Sequence, residues 1–294
     1  MIVDVHTHTP THRQSVPANE VVVNTVWRPD RPVRATCTWA DYLEAMAPVD
    51  RAIVFSIAYG PDHLAAPSRE PGRGPEGNVN DRTAELVRSH PDKLIGFLSV
   101  DPLAPGALEE IDRGVHDLKL RGIKLGPNYQ NFDPLCPEAR AVYARAQTLG
   151  LPILFHQGTS PIRTAPLRFA HPLVMDEVAM AYPELRIVMA HMGHPWQADT
   201  IVVIRKHPHV YADVSALFYR PWSYYHAMRL ATEWNVLHKL LLGSDYPIAT
   251  PRETIDHLKK VNDLPKTSGF PLVPEDALEA IIHRDSLVLL GLSQ

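Results

Sequence analysis

Five residues with metal-ligand side chains stand at the ends of apolar runs: His6 and His8 after IVDV, His156 closing PILFH, His191 closing RIVMAH, and Asp245 after LLLGS. His6 and His8 are two residues apart, so on an extended strand both imidazoles project from one face. A lone histidine is more often structural. Two on one face at a strand end, with Asp4 just before them, favour a metal site built from neutral imidazole and carboxylate donors. With 16 histidines in the chain, one or two strand-end placements would be unremarkable, but four together with an aspartate exceed chance.

These positions require a scaffold that brings distant strand ends together. Apolar, β-branched runs recur as IVDV at 2, AIVFSI at 52, LIGFLSV at 94, GIKLG at 122, PILFH at 152, RIVMAH at 186, HVYADVS at 209 and KLLLGSDYP at 239. Several are apolar at every position, the pattern of strands buried on both faces of a parallel sheet. Helix-like segments lie between them, starting near Thr38, Asn80, Pro105, Pro137, Met175 and Trp196; the Pro137 segment opens on Pro and closes on Gly150. Eight strands alternating with helices, and no G-x-G-x-x-G after the first, predict a single α/β domain over residues 1–294, a (β/α)8 TIM barrel with its site at the C-terminal face. Extra length falls after strands one and two. Residues 9–37 and 59–79 are Pro, Gly and Arg rich, and loops this long on a barrel are expected to cap the site; VVV and VW in the first suggest a short hairpin.

At HTH (His6), FHQG (His156), AHMGHP (His191) and GSDYP (Asp245), the chain resembles the metal-dependent amidohydrolase superfamily. The likeness is to its amidohydrolase-related branch, which includes aminocarboxymuconate semialdehyde decarboxylase-like enzymes, and it covers nearly the whole chain. It implies one divalent ion, zinc or another such as manganese, held by His6, His8, His156 and Asp245, with His191 activating the bound water. Three imidazoles and one carboxylate leave such an ion a net charge near +1 and an open position, which lowers the pKa of bound water toward ~7 from 15.7. A histidine of ordinary pKa ~6.5 can then move the proton, and Asp245 can do so as well as bind metal. The same resemblance offers a second arrangement, in which a carboxylated Lys124 bridges two ions and His191 becomes a ligand; an uncarboxylated, cationic Lys124 instead suits a carboxylate substrate. The pattern departs at Asp285, where the family usually has Asn, a difference expected to concern helix packing.

The resemblance implies hydrolysis of an ester, lactone or amide of a small organic acid, or alternatively non-oxidative decarboxylation of an unsaturated or aromatic acid. Substrate-side candidates are Lys124, Arg28, Arg34, Trp196, Tyr219, Arg220 and Tyr246, with Arg28 or Arg34 the expected clamp on a carboxylate. His194 reads as a hydrogen-bonding residue at a helix start. Composition narrows the partners: net charge −4 without a long run of one sign argues against nucleic acid and anionic lipid. No run reaches the ~18 apolar residues of a membrane span, and MIVDVHTH lacks the features of a signal peptide, so a cytoplasmic enzyme is expected, with a homo-oligomer left open. Two distant cysteines, Cys37 and Cys136, support neither a disulfide framework nor a cysteine metal site.

Overall fold

The computed structural model describes residues 1–10, 28–33, 37–59, 69–74 and 76–293. All eight apolar runs become strands: β1 (Val3–His8), β2 (Arg51–Phe55), β5 (Leu94–Gly96), β6 (Ile123–Leu125), β7 (Ile153–Phe155), β8 (Ile187–Met189), β9 (Val210–Asp213) and β10 (Leu240–Leu241). A small antiparallel hairpin, β3 (Arg73–Gly74) and β4 (Gly77–Asn78), sits in the second insertion. The long strands pair in parallel as β1–β2–β5 and β6–β7–β8–β9–β10. Two seams join these sets. Lys124 N–H donates to Leu98 O at 2.7 Å between β5 and β6, while His8 N–H donates to Tyr246 O at 2.9 Å and Asp245 N–H to His6 O at 2.8 Å between β1 and β10. The result is a (β/α)8 TIM barrel.

Side-chain parity separates two cores. Ile123, Ile153, Phe155, Ile187, Met189, Val210 and Ala212 face outward into the layer beneath the helices. Leu154, Val188, Tyr211 and Leu241 face inward with Val3, Val5, Ile53, Phe55, Ile95 and Phe97. The same parity carries Lys124, His156 and Asp213 to the inner face one step further along their strands. Leu287, Leu290 and Leu292 join the inner cluster, so the C-terminal segment plugs the barrel end opposite the site. Asp285 caps the helix Ser286–Leu289 by accepting from Val288 N–H, so its effect is on that helix.

β1 needs one correction to simple alternation. Val3 pairs with Arg51 and His8 with Phe55, with a register shift between Asp4 and Thr7. That one-residue bulge lets Val3 and Val5 fill the barrel and still turns His6 and His8 inward, which strict alternation forbids. Asp4 secures the bulge by accepting from His6 N–H and Ser244 N–H, each at 3.0 Å.

The anticipated helices form as Trp39–Ala45, Val79–Ser89, Ala107–His116, Pro137–Leu149, Val174–Ala181 and Gln197–Lys206, the first with a capping box between Thr38 and Asp41. Helices over Pro221–Glu233, Pro251–Lys259 and Glu275–Ile282 complete the outer ring without having been anticipated. Neither Cys37 nor Cys136 is in a disulfide, and no helix among the described residues is long and apolar enough to cross a membrane. The expected hairpin near Val21–Val23 lies outside the described residues, as do Arg34 and much of both loops expected to cap the site.

Candidate functional site

The barrel's polar end gathers residues from six strand ends. His6, His8 and Asp245 form one candidate ligand group, with Asp245 Oδ1 3.3 Å from His6 Nε2 and 3.1 Å from His8 Nε2 and the three residues' ligand atoms all within 4.8 Å of one another, as are those of His6, His191 and Asp213. His191 packs at a tilt against His6, with ring centroids 4.9 Å apart, and edge to face against His156 at 5.1 Å. His156 also packs on Tyr129, its centroid 4.5 Å away. A cleft of about 180 Å³ opens beside this group, its lining shared by His156, His191, His194, Tyr219, Arg220 and Asp245.

The local backbone that aims these groups is unusual. His191 (φ 57°), Met192 (φ 45°), Ala216 (φ 57°) and Asp245 (φ 62°) all hold left-handed conformations that non-glycine residues seldom adopt. Such outliers persist only where surrounding structure over-determines them, and here they cluster at strand ends around one cleft. Gly243, just past β10, allows close approach: a Cβ there would stand 3.0 Å from His6 Cβ and 3.2 Å from Asp213 Cβ.

Asp213 was missed from the sequence, and it organises the site. Its Oδ2 is 2.9 Å from His6 Nδ1, so Nδ1 donates there and Nε2 is the ring nitrogen left facing Asp245. Its Oδ1 accepts the backbone N–H of His191 at 3.0 Å and of Ser215 at 3.1 Å, and the Ser215 hydroxyl as well. With Ser215 Oγ donating to Asp213, it accepts from His191 Nδ1 at 2.7 Å, leaving Nε2 as that ring's basic nitrogen. A usable signal existed, since Asp213 ends strand seven with Tyr211's inward parity.

Burial sets the charge states. His8 and His191 are pushed down to about 4 by desolvation, and His156 well below its ordinary value for the same reason, so all three rings are neutral donors at pH 7. For His6, burial and the charge of Lys124 lower the pKa, but Asp213 and Asp245 outweigh them and raise it. Burial opposes ionisation of Asp245, yet hydrogen bonds from His6 and His8 hold its carboxyl well below the usual range.

Lys124 does not reach for the barrel mouth, the simplest structural reading of a strand-end lysine. It is buried inside, Nζ 3.4 Å from His6 Nε2 and 4.7 Å from the centre of the Phe55 ring, and desolvation lowers its pKa to about 7 against the pull of Asp245 and Asp213. Arg28 is buried and already engaged: its guanidinium donates to both Asp30 oxygens, to Glu253 and to Ile248 O, and lies 5.1 Å and 4.9 Å from the Phe218 and Tyr219 ring centres. It braces Tyr219 against the cleft and offers no open fork to a carboxylate. Trp196 stands apart from the cleft lining, packed on His171 at 4.9 Å, and Tyr246 is buried against Tyr42. His194 bonds to Gln197 Nε2 through Nδ1 at 2.8 Å, the hydrogen-bonding role expected of it, while also lining the cleft.

Residues 3–292 match the family model described as amidohydrolase. Solved structures agree in fold. An uncharacterised TIM-barrel protein from Bordetella bronchiseptica superposes with a TM-score of 0.69 at 18% identity, covering 99% of this chain and 98% of that one. A dihydroxybenzoic acid decarboxylase from Polaromonas sp. JS666, with bound manganese and the inhibitor 2-nitroresorcinol, gives 0.66 at 15% identity over 100% and 97%. A probable 2-pyrone-4,6-dicarboxylic acid hydrolase from Acinetobacter baumannii, with citric acid bound, gives 0.63 at 16% over 99% of each. With nearly its whole length matched, the chain belongs to the amidohydrolase family of enzymes.

Proposed function

We propose that this protein is a metal-dependent hydrolase that cleaves an ester, lactone or amide bond in a small organic acid. The observation that carries the reading is the convergence of His6, His8 and Asp245 ligand atoms within 4.8 Å of one another, with Asp245 also lining a cleft that His156 and His191 share. The donor set fits a divalent ion: neutral imidazoles, an ionised carboxylate, and a tautomer at His6 held by Asp213. His6, His8, His156 and Asp245 would hold one ion, for which zinc suits the nitrogen-rich set; manganese, the ion of the Polaromonas relative, also accepts it. A divalent ion bound there polarises a carbonyl and makes water acidic enough to ionise near neutral pH.

The chain's own groups supply the rest. His191, with Nδ1 committed to Ser215, takes a proton at Nε2 from the attacking water and returns it to the leaving group. Lys124, beside His6, is read as an uncarboxylated cation that favours an anionic substrate, which makes the one-ion arrangement the proposal and the carboxylated bridge its competitor. The relatives named above with citric acid and a dihydroxybenzoate activity are in keeping with a small organic acid.

The test is a screen of the zinc- or manganese-loaded enzyme against carboxylated lactones and esters beside hydroxybenzoates, following acid release and CO₂ separately. Acid release abolished by a chelator and restored by metal is expected. CO₂ release without hydrolysis would replace this reading with the decarboxylase, and turnover indifferent to metal removal would overturn both.

A further inference from the structure

One wall of the cleft has no part in the chemistry above. Arg220 ends the loop after β9 and precedes Pro221, the first residue of the helix Pro221–Glu233. It is half-buried, and its backbone is pinned on both sides: its N–H donates to Leu217 O at 3.0 Å, and its carbonyl accepts from Tyr224 N–H at 2.9 Å. The guanidinium lies 4.8 Å from the centre of the Tyr219 ring, and Arg28 braces that ring while paired to Asp30 and Glu253. Arg220 donates to Ala216 O only at a long 3.4 Å, and among the described residues no carboxylate pairs with it.

This contrasts with Arg28. There the donors are spent on Asp30 and Glu253, whereas at Arg220 a planar cation seated on an aromatic platform lines the same cleft as His191 and Asp245. A guanidinium so placed matches a carboxylate in two-point geometry. The positive end of the 13-residue helix that starts beside it adds to the same field.

We propose that Arg220 anchors a carboxylate of the substrate remote from the bond that reacts, so that the preferred substrates carry a free acid on the side facing the helix Pro221–Glu233. The inference rests on the cleft being the substrate site, and it replaces Arg28 as the recognising arginine. Arg220 is thus a specificity residue, with no proton to transfer and no place among the ligands.

The experiment is calorimetric titration of the metal-loaded enzyme with glutarate and with its uncharged counterpart glutaramide. Wild type is expected to prefer glutarate, and Arg220→Met to weaken glutarate roughly ten- to a hundredfold, the scale of a lost charged hydrogen-bond pair. Metal stoichiometry and glutaramide binding should stay unchanged, and Arg220→Lys should recover part of the loss. Arg220→Gln takes the place of the Met variant should near-UV circular dichroism show that the latter has lost its fold. Unchanged glutarate affinity in the folded variant, or no preference for glutarate in wild type, overturns the assignment. Because the readout is equilibrium binding, failure of the hydrolase reading would leave a persisting, Arg220-dependent glutarate preference intact, and the two can fail separately.

Discussion

Asp213 Oδ2 stands 2.9 Å from His6 Nδ1 with both residues buried, and the other oxygen of the same carboxylate receives the His191 side of the site. One side chain therefore sets two histidines. An amide cannot accept hydrogen bonds with both of its terminal atoms, so Asp213→Asn must disturb one arm. Titration of the stripped protein with zinc should show affinity reduced about 10- to 100-fold, the usual cost of losing a partner behind a metal-ligating histidine. Wild-type zinc affinity in this variant would remove Asp213 from the design.

His6→Ala should abolish stoichiometric metal in elemental analysis, as should Asp245→Ala, because these residues contribute ligand atoms from opposite sides of the β1–β10 seam. Full metal content in either protein would exclude that residue as a ligand.

Ser215 separates proton transfer from metal binding. His191→Asn should keep its metal but lower kcat by ~10²–10⁴, the range for a lost acid–base group. Ser215→Ala should keep metal too and lose less, since it frees the ring's tautomer without removing its nitrogen. Loss of metal in His191→Asn would favour the arrangement in which His191 is a ligand.

His194 gives the fold a pH dependence. Burial, with Arg220's charge behind it, lowers its pKa from 6.5 to about 4, so between these values the unfolded chain binds the proton that the folded ring refuses. Stability from this group is complete above pH 6.5 and lost as pH falls toward 4. With the ring partly open to solvent, the contribution is about 1–2 kcal/mol. His194→Asn should flatten the fall of Tm over that window, and an unaltered slope would assign the acid sensitivity to other groups.

Gly158 in FHQG should resist substitution. Its φ is +101°, and an added Cβ would meet His194 O at 2.3 Å, where Thr159 N–H now donates to that same oxygen at 2.7 Å. Gly158→Ala is expected to cost roughly 2–4 kcal/mol, combining backbone strain with a clash against main chain. Denaturant unfolding reads this directly, and a loss below about 1 kcal/mol would show that the FHQG and AHMGHP loops can part cheaply.

How much of this was legible in the sequence differs from residue to residue. Periodicity was enough for the eight strands and the barrel, because that signal is local and every strand of a barrel must be apolar on both faces, while strand-end position singled out His6, His8, His156, His191 and Asp245 as ligand types whose roles are the proposal above. Asp213's one local mark is its inward parity at the end of a strand and Ser215 has none: HVYADVS reads as one more strand, and the importance of its aspartate comes from groups 207 and 22 positions away in the chain. The same holds for the arginines. Arg28 and Arg220 are alike as letters, and only folding gives one to Asp30 and Glu253 and leaves the other on Tyr219 facing the cleft. The β1 bulge is of this kind as well, since alternation alone cannot place Val3, Val5, His6 and His8 all inward. Local chemistry is written residue by residue, but the partner that satisfies a buried charge is chosen by three-dimensional packing, where burial makes an unpaired group too costly to leave.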